Sequence, residues 1–191
     1  MNPRSREQVD LRKEELAIRR AGIVALLICT LGFAIGYFTL PRFFEFPTEL
    51  VDRLSFAIQS SVFVLIWVLI GVTMVSIGRR RSVSDVGGAA SGPPSPQIAV
   101  QVAFLQNTLE QAVLAVGVYL SLATLLSGAW LSLIVIAVLF FAVGRVLFLN
   151  GYRQDQTGAQ GRALGMVLTM LPTLAGYILA IGLIMVTLIR S

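Results

Sequence analysis

Five long apolar runs constrain this chain more than any other feature. They cover residues 21–40, 56–78, 98–126, 129–149 and 163–189. A helix rising 1.5 Å per residue needs about 20 apolar residues to cross a hydrocarbon core of roughly 30 Å, and each run is close to that length or beyond it. Inside hydrocarbon every backbone N–H and C=O must be satisfied within the protein, which leaves helices or a closed barrel. The runs are apolar blocks without strand alternation, so the expectation is an all-α integral membrane protein. Only 13% of residues are charged, against roughly 25% in soluble domains. The first run ends in aromatics and Pro41 with no small-residue cleavage site, so it reads as a retained span and not as a signal peptide.

Between the runs lie short polar or mixed segments. Residues 41–56 form a mixed loop containing Pro41, Phe43, Phe44, Phe46 and Pro47. Residues 82–97 are rich in Ser, Gly and Pro, a loop composition. Ser127–Gly128 leaves room only for a tight helical hairpin. Residues 150–162 form a last polar loop, and Pro172 is expected to kink the final helix.

The net charge is +5. The basic residues flank the apolar runs, which fits membrane topology and anionic headgroups better than nucleic acid. With the N-terminus cytoplasmic, that side receives Arg4, Arg6, Arg12, Lys13, Arg19, Arg20, Arg79, Arg80, Arg81, Arg145, Arg153 and Arg162. The other side keeps Arg42, Arg53 and Arg190. Positive residues favour the cytoplasm, so this orientation is expected over its mirror. The chain has no histidine and one cysteine, Cys29. His-based catalysis and zinc sites are excluded, an intramolecular disulfide is impossible, and no metal-ligand spacing exists.

The third run is the most polar. It carries Gln101, Gln106, Asn107, Thr108, Glu110 and Gln111. A carboxylate in a spanning helix costs about 2.5–3.5 kcal/mol on insertion scales, so it normally meets a partner or a wet cavity. Helical spacing groups Asn107, Glu110 and Gln111, with the small residues Gly117 and Ser121 continuing below, open to a neighbouring helix or a ligand. On the fourth run Arg145, Phe148 and Tyr152 share a face. The hairpin places Glu110 and Arg145 at comparable depth, where they are expected to pair. Interhelical glue and a binding crevice on the cytoplasmic side both account for these groups.

Gln106-Asn107-Thr108-Leu109-Glu110 resembles the Q-N-x-x-E signature of the MAPEG family, the membrane-associated proteins of eicosanoid and glutathione metabolism. Gly144-Arg145 through Tyr152 resembles that family's G/A-R-x-x-x-x-x-G/A-Y segment. Arg162-Ala163-Leu164 resembles the R-A-L that opens its last helix. The resemblance implies a four-helix membrane bundle over residues 57–190, assembled as a homotrimer, preceded here by a charged tail at 1–20 and an additional transmembrane helix at 21–40. It implies glutathione as co-substrate at an intersubunit site near the cytoplasmic face, with no metal and no nucleic acid. Asn107, Glu110, Arg145 and Tyr152 would be its binding residues. Arg162 would be the catalytic one, lying near the sulfur, where a positive charge favours thiolate. The activity implied is that of a membrane-bound glutathione S-transferase or peroxidase acting on lipophilic electrophiles. Departures from the family pattern are Ala103 where an arginine is usual, Gln111 where an aromatic is common, and Phe148 in place of a tyrosine or histidine. They leave open a non-catalytic member that binds a lipid or a partner protein. A small transporter is disfavoured by the single carboxylate and by the lack of paired broken helices.

Reporter fusions test the orientation. A fusion at residue 5 should report the cytoplasm and one at residue 191 the opposite side. Both ends in one compartment would remove one span.

Overall fold

The computed structural model describes residues 11–154 and 160–190, and these fold into five long helices. They are α1 (Leu11–Thr39), α2 (Leu50–Arg80), α3 (Ala99–Leu125), α4 (Ser132–Gln154) and α5 (Gln160–Arg190). All five are long and apolar enough to cross a membrane. The chain is therefore an all-α, multi-pass integral membrane protein, as the apolar runs require.

The helices overrun the apolar runs. The charged residues 11–20 continue into the first span as one helix. α2 begins at Leu50, so Asp52 and Arg53 form its polar first turn and the mixed loop shrinks to 43–49. α4 persists to Gln154 and α5 starts at Gln160, so most of the expected loop at 150–162 is helical. Hydropathy marks where a helix meets hydrocarbon, whereas its backbone hydrogen bonds continue into the headgroup layer. Pro172 lies inside α5 without ending it.

Two close pairs organise the bundle: α4 lies along α5, and α2 along α3. The α4–α5 contact is made backbone to backbone through glycines. A Cβ on Gly165 would lie 2.3 Å from the Phe148 nitrogen and 2.6 Å from the Gly144 oxygen. One on Gly151 would lie 2.2 Å from the Gly161 oxygen. Without a hydrophobic driving force between helices in lipid, such small-residue contacts are a main source of packing. α1 uses the same device on the outer side of this pair. Ala25 and Cys29 are buried, and Gly32 and Gly36 receive the Phe140 and Ile136 side chains of α4.

The ends are tied as well. At one end the Arg53 guanidinium donates to the Leu126 carbonyl at 2.7 Å, capping α3 where cations are favoured. The Gly128 N–H reaches the Pro47 carbonyl at 3.0 Å, and Gly128 turns the hairpin with φ +57°. At the other end Asp85 shapes the Ser/Gly/Pro loop. Its carboxylate accepts the Ser82 hydroxyl, the Ser95 backbone N–H at 2.8 Å and the Ser95 hydroxyl at 2.5 Å. These bonds, the Ser82 hydroxyl foremost, hold its pKa down to about 2.

A depressed carboxyl pKa stabilises the loop above the ordinary value of 3.8, and the effect fades as pH falls toward about 2. The wild-type loop should resist proteases at neutral pH and open to pepsin only within that acid window. Asp85→Ala should be cut within residues 82–97 at neutral pH. Mapped cleavage sites identical in the two proteins would show that Asp85 does not hold the loop.

Candidate functional site

Arg145 is the largest fully buried side chain among the described residues, at 0% exposure. The glycine contact makes this possible. Gly144 presses against the Gly165–Thr169 turn of α5, which brings the neighbouring arginine to Thr169. One guanidinium nitrogen donates to the Thr169 hydroxyl. That hydroxyl in turn donates to the Gly165 carbonyl at 2.7 Å. The other terminal nitrogen donates to Asn107 Oδ1 on α3 at 2.7 Å. Phe148 and Phe141 cover the guanidinium, with ring centroids 4.8 and 5.5 Å from Cζ. A cation over an aromatic face gains about 2 kcal/mol or more when desolvated. The buried charge is thus held by two neutral acceptors and two rings.

The expected Glu110–Arg145 pair does not form. Glu110 is exposed, and its hydrogen bond comes from Gln106 Nε2 on its own helix at 3.3 Å. The reason is helical phase. α3 buries Phe104, Thr108, Gln111, Ala112 and Ala115, chiefly against α2. At 100° per residue Glu110 lies about 160° around the helix from Thr108, on the outward side. Asn107 sits at the edge of the buried face and reaches Arg145, while Gln111 is buried with its side-chain oxygen unpartnered. The three polar groups expected to act together are therefore divided. The small-residue stripe is also filled from within the bundle, since a Cβ on Gly117 would meet the Tyr177 hydroxyl of α5 at 2.7 Å.

From Arg145 a line of contacts leads toward the α4–α5 connection. Phe148 stacks edge-on against Tyr152 at 5.0 Å. The Arg162 guanidinium lies over the Tyr152 ring at 4.6 Å. Tyr152 and Arg162 are partly exposed. The structure thus joins Asn107, Arg145, Tyr152 and Arg162 through Phe148, and leaves Glu110 on a different face. Ala103 is half-buried and supplies no charge.

The sequence profile of the MAPEG family matches residues 55–182, more than half of the chain. The chain belongs to the MAPEG family. The match begins in the second turn of α2 and ends within α5, so α1 lies outside it. Comparison with curated proteins and with solved structures finds no match.

Within this MAPEG chain, two of the motif residues taken from the sequence, Asn107 and Arg145, are bonded across helices. Their third partner, Thr169, was missed. A threonine in an apolar run usually bonds its own helix, and Thr169 does that too. The available signal was Gly161-x-x-x-Gly165, a small-residue spacing that marks a close helix approach just before it. Among the described residues no three His, Cys, Asp or Glu side chains gather to hold a metal.

Removing either acceptor should leave a buried guanidinium short of a bond, a loss of about 1.5–3 kcal/mol for charged hydrogen bonds. Thr169→Val and Asn107→Leu should therefore each destabilise the protein in mixed-micelle unfolding. Thr187→Val, at an exposed threonine bonded only to its own helix, should stay within about 0.5 kcal/mol. Equal losses at Thr169 and Thr187 would mean that Arg145 does not depend on Thr169.

Proposed function

We propose that this protein binds glutathione or a related thiol at a cytoplasmic-side site between subunits of a homotrimer and transfers it to lipophilic electrophiles. The observation that carries this reading is the fixed line Asn107–Arg145–Phe148–Tyr152–Arg162. It begins at a locked buried cation and ends at an accessible cation and phenol.

The groups suit an anionic, thiol-bearing tripeptide. Tyr152 and Arg162 offer a hydroxyl and a positive charge, and Glu110 offers a carboxylate for an amine. Arg145 is wholly enclosed, so its part is to hold Asn107 and Phe148 in place. Glu110 faces outward, and a carboxylate in a span calls for a partner. An adjoining copy of the chain would supply it, which supports the intersubunit site and the trimer. In the conjugation step the thiolate sulfur forms a bond to an electrophilic carbon and the leaving group departs with its electron pair. The thiolate is the nucleophile, so a cation beside the sulfur raises the reactive fraction at neutral pH. Arg162 is assigned that role, and the electrophile enters from the bilayer.

Calorimetry should detect glutathione binding, and ultraviolet difference absorbance should show bound thiolate near neutral pH. Arg162→Ala should shift thiolate formation to higher pH and slow conjugation, while changing stability little. A wild type that binds no thiol, or never shows thiolate near neutral pH, would overturn the transferase reading. An unchanged thiolate signal in the variant would remove only the assignment of Arg162.

A further inference from the structure

We propose that one acyl chain of a bilayer lipid occupies an apolar pocket where α1, α3, α4 and α5 meet. The pocket has a volume of about 160 Å³. Phe33 of α1, Val118 and Tyr119 of α3, Ile134 of α4, and Pro172 and Gly176 of α5 form its walls. It is separate from the polar cluster. Ile134 precedes Arg145 by eleven residues of α4, about 16 Å along a helix. The pocket therefore lies on the α3–α4 hairpin side of Arg145.

The space is built in by fixed elements. α1 cannot settle closer, because Gly32 and Gly36 already touch Phe140 and Ile136. α5 cannot close on α3, because Gly176 is already in tight contact with Val118. Small side chains at Ala137 and Ala175 leave the remaining volume unfilled. Close-packed interiors seldom keep such voids, since the lining atoms forfeit dispersion contacts. Water is a poor filler. It needs two to four polar partners, and Tyr119 is the one polar side chain in the lining.

Hydrocarbon fits on both size and access. An apolar cavity of about 150 Å³ holds benzene, so this one takes about six carbons of a chain. Its α5 wall includes Ala175 and Leu179, both exposed in the chain and both within the apolar span of α5. That opening meets lipid tails and not water. No charged side chain lines the pocket, so nothing there would retain the head of a soluble ligand, whereas a lipid keeps its own head at the interface.

The test uses the full chain in nanodiscs of phosphatidylcholine bearing a diazirine midway along one acyl chain. After irradiation, labelled residues are mapped by mass spectrometry. Labelling at Ile134, Ala137 and Ala175 should exceed labelling at the exposed Leu188 several-fold. Ala137→Phe should reduce it several-fold while Leu188 labelling stays constant. If that variant does not fold, Ala175→Phe narrows the pocket from an exposed position. Pocket labelling no higher than at Leu188, or unchanged in the filled variant, would overturn the proposal. Labelling by a free diazirine alkylbenzene but not by the phospholipid would also overturn it, by assigning the pocket to a diffusing lipophile.

Discussion

A guanidinium cannot lose its proton under ordinary conditions, so one placed inside hydrocarbon has to be answered by the protein around it. Arg145 imposes that demand on three helices. α4 supplies the charge and the two covering rings, α3 the Asn107 carbonyl, and α5 the Thr169 hydroxyl. Each acceptor fixes a rotation: α3 must turn Asn107 inward, and α5 must turn Thr169 toward Gly144. The glycines at 144, 151 and 165 serve the same seam, because a Cβ on any of them would collide with the backbone of the facing helix. The outward placement of Glu110 follows from the same rotation of α3.

The spans, the loop composition and the family motifs were legible in the sequence because they depend on local residue type. Helix ends were less legible. Asp52, Arg53 and Tyr152 look like loop residues by polarity, yet they lie within helices that run on past the apolar runs. The contacts among the candidate residues were only partly legible. Asn107 and Arg145 meet, and Tyr152 meets Arg162. The Glu110–Arg145 pair was misread because a shared depth across a hairpin does not imply a shared face. α3 lies along α2, and α4 along α5, so the two helices of the α3–α4 hairpin are not close neighbours. Thr169 was invisible without that pairing.

The first helix illustrates how weakly amphipathic patterning speaks in a membrane. Both faces of α1 are apolar, and only residue size distinguishes them. Ala25, Cys29, Gly32 and Gly36 face protein, while Ile23, Leu27, Leu31 and Ile35 face outward. In lipid the discriminating variable is side-chain volume, so the seam reads as a row of small residues and not as a hydrophobic stripe.

The division of the bundle into two pairs also has a consequence for synthesis. The ribosome completes α4 before α5 exists, so Arg145 reaches the translocation machinery ahead of Thr169 and of the glycine seam that would enclose it. During that interval Asn107 is the acceptor already made. Long basic side chains near a helix end can extend toward the headgroups until a partner arrives. Arg145 lies nine residues before the end of α4, a distance that makes such a waiting position strained. Full enclosure of Arg145 is thereby coupled to the arrival of α5, which brings both Thr169 and the glycine seam.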